Sequence, residues 1–252
     1  MQTGGTGTVY LVGAGPGAAD LLTIRAVRLL GTADIVFYDA LVPGEILLFA
    51  QRAIKIAVGK RSGRRSTAQR FINKRLADAA RAHRVVVRLK GGDPMLFGRA
   101  HEEIAYLSAE NIPVQVVPGV TAALAASAEL RISLTQRGAA RSVTFVTPRV
   151  GEGERPSGWV DAVLAADTAA IYMGAGEAQA ISSALMAAGK PGSTPVAVVE
   201  SASLPGSRAR FGLLRDLPTL APALPAGPTL ILLGEVYLEA AGLLERQASQ
   251  AA

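Results

Sequence analysis

Short runs of β-branched and apolar residues recur through the first half of the chain, at 9–12, 35–38, 54–58, 84–89 and 114–117, each bounded by glycine, proline or aspartate. Runs of that length between turn residues predict buried strands. Residues 21–30 and 66–81 instead space their apolar positions at helical period. Strands alternating with helices predict a parallel sheet, because a parallel pairing needs a crossover and the usual crossover is a helix. A second series of strand-like runs follows at 142–147, 169–173, 195–199, 208–213 and 229–233, with less regular spacing and with loops richer in Gly, Pro and Ser. The pattern predicts two α/β domains: 1–135 with a mostly parallel sheet and 136–245 with a mixed sheet, connected around 131–141. A small, polar tail at 246–252 is expected to fray.

Composition sharpens this picture by exclusion. With 252 residues, half of them hydrophobic and 18% charged, the chain is expected to fold and bury a sizeable core. It has no cysteine, so disulfides, thiolate nucleophiles, Cys-ligated zinc and iron–sulfur clusters are excluded, and a reducing, cytoplasmic setting is expected. Two histidines, His83 and His101, leave little for metal chemistry or a His-based triad, and no metal is expected. The first seven residues lack a basic region ahead of an apolar stretch, and no run approaches the roughly 18 apolar residues of a membrane span. Neither export nor membrane insertion is expected.

Charge is distributed unevenly. Residues 51–90 hold 13 of the 26 Lys and Arg residues against one acid, Asp78, whereas the rest of the chain carries 13 bases and 19 acids. Such a block suits nucleic acid or a small, highly anionic ligand. Arg70, Lys74, Arg75 and Arg81 read as a solvated helix face. Lys60, Arg61, Arg64 and Arg65 sit in a glycine-punctuated loop, where guanidinium forks match carboxylates or phosphates. A nucleic-acid reading has little stacking support, because Phe71 is the one aromatic of the block.

Chemistry concentrates where predicted strands end. Gly13-Ala-Gly15-Pro16-Gly17 follows the first strand, but the pattern is GxGxG rather than GxGxxG, and Pro16 removes an N–H where a pyrophosphate would need one. The Gly59-Lys60-Arg61-Ser62 segment lacks the first glycine of a P-loop, and no G-x-S-x-G elbow or zinc-binding histidine pair occurs. Gly91-Gly92-Asp93-Pro94 closes the fourth strand, Pro118-Gly119 the fifth and Asp39 the second. In an open α/β sheet the carboxyl ends of the strands form the edge where ligands bind. Adjacent glycines let backbone approach a ligand there, and an aspartate can accept from hydroxyl or amine groups, or else build an Asx-turn or helix cap.

The combination GAGPG (13–17), YDALV (38–42), GKRSGRRS (59–66) with Gln69 and Ile72-Asn73, GGDPMLFGR (91–99), PGVTAA (118–123), YMG (172–174) and VVE (198–200) resembles the uroporphyrinogen-III C-methyltransferases, within the tetrapyrrole methylase group. The likeness runs from about residue 9 to 234, and the block of GKR-x-G followed by S-x-x-Q-x-x-I-N is the part specific to the uroporphyrinogen enzymes. It implies an S-adenosylmethionine-dependent enzyme in the stand-alone form, without the dehydrogenase and chelatase module of some relatives. The implied reaction converts uroporphyrinogen III to precorrin-2 on the route to siroheme, cobalamin or heme d1, leaving S-adenosylhomocysteine. The implied assembly is a homodimer, with the active site in the trough between the two domains.

By motif match the resemblance implies Asp39 as proton acceptor and Lys60 as proton donor. Cofactor contacts would be Pro16, Gly91, Gly92, Asp93, Leu96, Thr121, Ala122, Met173 and Ala202, and substrate carboxylates would meet Arg61, Arg64 and Arg65. The chain departs from the family at several positions. Arg65 and Gln136 stand where histidine is usual, Pro148-Arg149 replaces a Gly-His pair, and Ser201-Ala202-Ser203 follows Glu200 where glycine and threonine are common. A methyltransferase of the same fold acting on a later precorrin is the nearest alternative; a nucleic-acid-binding protein using residues 51–90 is the alternative of another class.

Overall fold

The structure, a computed structural model, describes residues 5–58, 69–150, 157–221 and 227–242. The chain divides into two compact units, Met1–Ala122 and Ala123–Ala252. In the first, β1 (Thr8–Gly13), β2 (Ile35–Tyr38), β3 (Ile54–Ala57), β4 (Val85–Lys90) and β5 (Val114–Val117) alternate with α1 (Ile24–Thr32), α2 (Gly44–Leu47), α3 (Gln69–Ala82) and α4 (Ala100–Ala109). The strands form one parallel sheet in the order β3-β2-β4-β1-β5. Both faces are covered, as a parallel sheet requires. Val9, Leu11, Ile35, Phe37 and Val86 face Ile72, Leu76 and Leu107 from α3 and α4, while Val12, Val36, Val87 and Leu89 face Ala26, Leu30 and Ile46 from α1 and α2.

Side chains alternate between the two faces along β4. Val87 and Leu89 pack on the α1–α2 side and Val86 on the α3–α4 side. The two-residue period of a strand therefore directs Arg88 and Lys90 toward α3 and α4. Those two cations are buried at the carboxyl end of the central strand.

α5 (Ala122–Leu130) opens the second unit, which continues with β6 (Val143–Val146), α6 (Trp159–Ala165), β7 (Thr168–Tyr172), α7 (Ala178–Ala187), β8 (Pro195–Glu200), β9 (Arg208–Leu213), α8 (Leu217–Leu220) and β10 (Thr229–Gly234). Its sheet runs β6-β7-β10-β8-β9, with β6 and β7 parallel and the remaining pairs antiparallel. α6 and α7 cover one face through Val163, Ile181 and Leu185. Ala123 and Ala126 of α5 join Ala170, Ala197, Val199 and Tyr237 on the other, where small residues let helix and sheet approach closely. The expected parallel and mixed sheets are both present. No described helix is long and apolar enough to cross a membrane.

Candidate functional site

Three strand ends of the first sheet meet backbone to backbone. Gly15 and Gly92 exchange hydrogen bonds, with the Gly92 N–H donating to Gly15 at 2.7 Å and the Gly15 N–H to Gly92 at 3.2 Å. A Cβ on Gly13 would stand 2.6 Å from the Gly119 Cα, and one on Gly119 would stand 2.4 Å from the Gly92 carbonyl oxygen. No side chain fits there, so these glycines are dictated by the joining of the loops that follow β1, β4 and β5. Gly92 differs: its φ of +67° favours glycine, and a Cβ built on it would meet nothing within 4 Å. The turn has an open side that a side chain would fill.

Asp93 ties the same loops together. Its Oδ1 accepts from the Met95 N–H at 2.8 Å and its Oδ2 from the Gly119 N–H at 2.9 Å. The carboxylate therefore makes an Asx-type turn and also bridges to the loop after β5. Pro16, Gly91, Gly92, Asp93, Leu96 and Thr121 lie in loops at this edge and Ala122 is the first residue of α5; Thr121 is buried and Leu96 half-buried.

Asp39 follows β2 at the same edge. Its backbone N–H donates to Leu89 at 3.2 Å, and its Oδ1 accepts from Nη2 of Arg88 at 2.5 Å. The remaining nitrogens of Arg88 are also committed: Nε donates to Glu103 Oε1 at 3.1 Å and Nη1 to the Leu89 carbonyl at 3.2 Å. Glu103, on α4 and fully buried, further accepts from Lys90 Nζ at 3.0 Å on each oxygen and from Gln69 Nε2 at 3.0 Å. Gln69 also donates to Asn73, whose own amide donates to the Glu102 carbonyl. Burial, followed by the nearby Arg88 charge, holds the Lys90 ammonium below the usual lysine range, against the opposing pull of Glu103 and Asp39.

The basic block is thus only partly available to a ligand. Arg88 and Lys90 are neutralised inside, Lys74 and Arg81 pair with Asp78, and Arg81 also pairs with Glu110. The Arg75 guanidinium lies 5.6 Å from the ring centroids of both Phe37 and Phe71. Lys60, Arg61, Arg64 and Arg65 fall at 59–68, outside the described residues. The sequence reading missed the interior network, although a signal for it existed. Two cations closing an apolar strand need buried anions, and the helical period that buries Ala100 and Leu107 places Glu103 on the same face.

In the second unit, Met173 follows β7 and Ala202 follows β8. β10 pairs Tyr172 with Leu230 and Glu200 with the adjacent Thr229, so both residues stand at one end of that sheet. Met173 is 46% exposed, which sets it apart from a core methionine. Ala202 is buried in the cluster of Val199, Leu230 and Tyr237, so its methyl group is absorbed by the core. The Tyr172 hydroxyl accepts from the Ala123 N–H at 3.1 Å, at the start of α5. Of the non-glycine residues with left-handed φ among those described, Phe97, Arg99, Met173, Ser201 and Ser203 all follow β4, β7 or β8. Backbone strain of that kind gathers where a site is built. No group of three or more His, Cys, Asp or Glu that could hold a metal ion occurs among the described residues.

Fold and sheet edge together define the class: an α/β enzyme of the methyltransferase type. Within that class the chain belongs to the tetrapyrrole (corrin/porphyrin) methylases, whose family pattern matches residues 8–218. Among solved structures it is similar to the uroporphyrin-III C-methyl transferase of Thermus thermophilus complexed with S-adenyl homocysteine, at 39% identity and a TM-score of 0.81, over 92% of this chain and all of that one. A cobalt precorrin-4 methyltransferase is similar at 26% identity and a TM-score of 0.77, over 91% of this chain and 95% of that one. The siroheme synthase of Pseudomonas fluorescens (strain Pf0-1) is 46% identical over 92% of this chain and 50% of its own length. The chain spans about half the length of the siroheme synthases it matches.

Proposed function

We propose that this chain is an S-adenosylmethionine-dependent C-methyltransferase that converts uroporphyrinogen III to precorrin-2 by two successive methylations. The observation that carries the reading is the glycine-built edge of β1, β4 and β5 with Asp39 beside it. At Gly92 the backbone of the turn lies bare toward open space, and such bare backbone suits a cofactor that has to be held rather than activated. Bound there, the cofactor supplies a methyl group on a sulfonium: an electron pair from a pyrrole carbon–carbon double bond forms the new C–C bond, and the breaking C–S bond leaves its pair on a neutral thioether.

The chain's residues do the rest. Pro16, Gly91, Gly92, Asp93, Leu96, Thr121 and Ala122 hold the cofactor; Met173 and Ala202 are cofactor contacts on the strength of the motif resemblance alone. Asp93 acts chiefly by fixing the loops, since both its oxygens already accept backbone N–H groups. Asp39 accepts the proton that the methylated, positively charged ring must lose; Lys60 is the proton donor, and any proton it gives the macrocycle is matched by a second one the macrocycle loses. Arg61, Arg64 and Arg65 pair with the acetate and propionate groups. The protein works as a homodimer.

The test is an anaerobic reaction of the purified protein with both substrates, read by product mass. A tetrapyrrole heavier by two methyl groups is expected. No methylation, with S-adenosylhomocysteine binding measured by calorimetry, would move the acceptor to a later precorrin. The Asp39→Ala variant is expected to lose turnover while still binding S-adenosylhomocysteine; loss of that binding would make Asp39 structural or a cofactor contact.

A further inference from the structure

Glu103 is fully buried, out of reach of any substrate, yet it is the most heavily bonded side chain of the first unit's edge. Gln69 from α3 and Arg88 and Lys90 from β4 all donate to it. Three of these hydrogen bonds fall on Oε1 and one on Oε2, so donors from α3 and β4 hold the Glu103 carboxylate at both oxygens. Arg88 inherits that rigidity. With Nε on Glu103 and Nη1 on Leu89 the plane of the guanidinium is fixed, and within that plane an N–H of Nη2 donates to Asp39 Oδ1. Asp39 alone of the four charged groups reaches the surface, with 28% of its side chain exposed against 3% or less for Arg88, Lys90 and Glu103. Its Oδ2 has no hydrogen-bond partner among the described residues.

We propose that Glu103 is a positioning residue for the methyl-transfer reaction: through Arg88 it clamps Asp39 so that its other oxygen, Oδ2, faces the ring that must lose a proton. The inference rests on the reading of Asp39 as proton acceptor. Charge balance is part of the device. Arg88 and Lys90 bring two positive charges into the interior, and Glu103 and Asp39 bring two negative ones. Without the Glu103 charge, two buried cations share Asp39 alone, and both are drawn toward it or toward water. The fixed direction of the bond that aims Asp39 is then lost, although no group that touches the substrate has been altered.

Glu103→Gln preserves volume but sets an amide N–H₂ against donors. Counted per S-adenosylhomocysteine-binding site, its kcat is expected to fall about 100-fold, the cost of misplacing a catalytic group by roughly 1 Å. The affinity for S-adenosylhomocysteine and the KM for uroporphyrinogen III are expected to stay within about threefold. The decisive measurement repeats the substitution in an Asp39→Asn background, with long anaerobic incubations read by product mass. Residues acting as a unit are non-additive, so Glu103→Gln should there cost less than about threefold. A full additional loss in that background overturns the proposal, as does unchanged kcat in the single variant; both leave the reading of Asp39 standing. Wild-type turnover by Asp39→Asn alone overturns that reading, and the proposal with it. Should Glu103→Gln fail to bind S-adenosylhomocysteine, Glu103→Asp serves in its place. It keeps the charge, withdraws the carboxylate by one methylene, and must show the same non-additivity with Asp39→Asn.

Discussion

Lys90 closes the central strand with 3% of its side chain exposed and both hydrogen bonds to Glu103 in place. Its pKa lies below the ordinary 10.5, chiefly through burial and then through Arg88. Proton counting gives the direction of the effect on stability. Between the folded and unfolded values the unfolded chain binds more protons, so the penalty of burying the ammonium is present below that window and disappears as pH rises through it. Lys90→Met removes this dependence and leaves Glu103 with Arg88 and Gln69. Urea unfolding followed as pH rises toward about 10.5 should therefore show wild-type stability rising relative to the variant, then holding level above it. A pH-independent difference would mean that Glu103 compensates the burial of Lys90 in full.

At the scale of elements, the loop after β4 is held to the loop after β5 by one carboxylate. Asp93→Asn keeps an acceptor for Met95 but turns an N–H₂ toward the Gly119 N–H. A hydrogen bond to a charged acceptor contributes about 1.5–3 kcal/mol, so S-adenosylhomocysteine affinity should weaken roughly 10- to 100-fold, as measured by calorimetry. Unchanged affinity would free this loop from the cofactor site. The elements themselves were largely legible, because strand and helix periods are local. The exceptions are ends set by single contacts. The first helix, expected from residue 21, begins at Ile24 because the Thr23 hydroxyl accepts from the Ala26 N–H at 3.1 Å, behind a separate 3₁₀ turn at Ala19–Leu21. The strand expected at 169–173 ends at Tyr172, because Met173 turns to a φ of 57°.

Across the whole molecule, the features hidden from the sequence are long-range. Glycine turns reveal the ligand edge, since each turn is written in consecutive residues, but the order β6-β7-β10-β8-β9 depends on pairings between distant segments. Charge behaves likewise. The sequence presents 13 bases in residues 51–90 as one field, whereas the fold neutralises Arg88 and Lys90 internally and ties Lys74 and Arg81 to acids. On the proposed function, the pairing of an anionic tetrapyrrole is then left to bases of the block outside these pairs, Lys60, Arg61, Arg64 and Arg65 among them. If that loop pairs with substrate carboxylates, Arg64→Glu combined with Arg65→Glu should raise the KM for uroporphyrinogen III about 10-fold or more. The kcat at saturation and the affinity for S-adenosylhomocysteine should hold, because the proposed role of both residues is to pair with substrate carboxylates and not with the cofactor. Salt provides a second reading: wild-type KM should climb with ionic strength as the screening length shrinks below about 10 Å, while the doubly reversed variant responds weakly or in the opposite sense. Identical KM and salt dependence in the two proteins would reduce the loop to a solvated face and leave the acceptor's carboxylates to other partners.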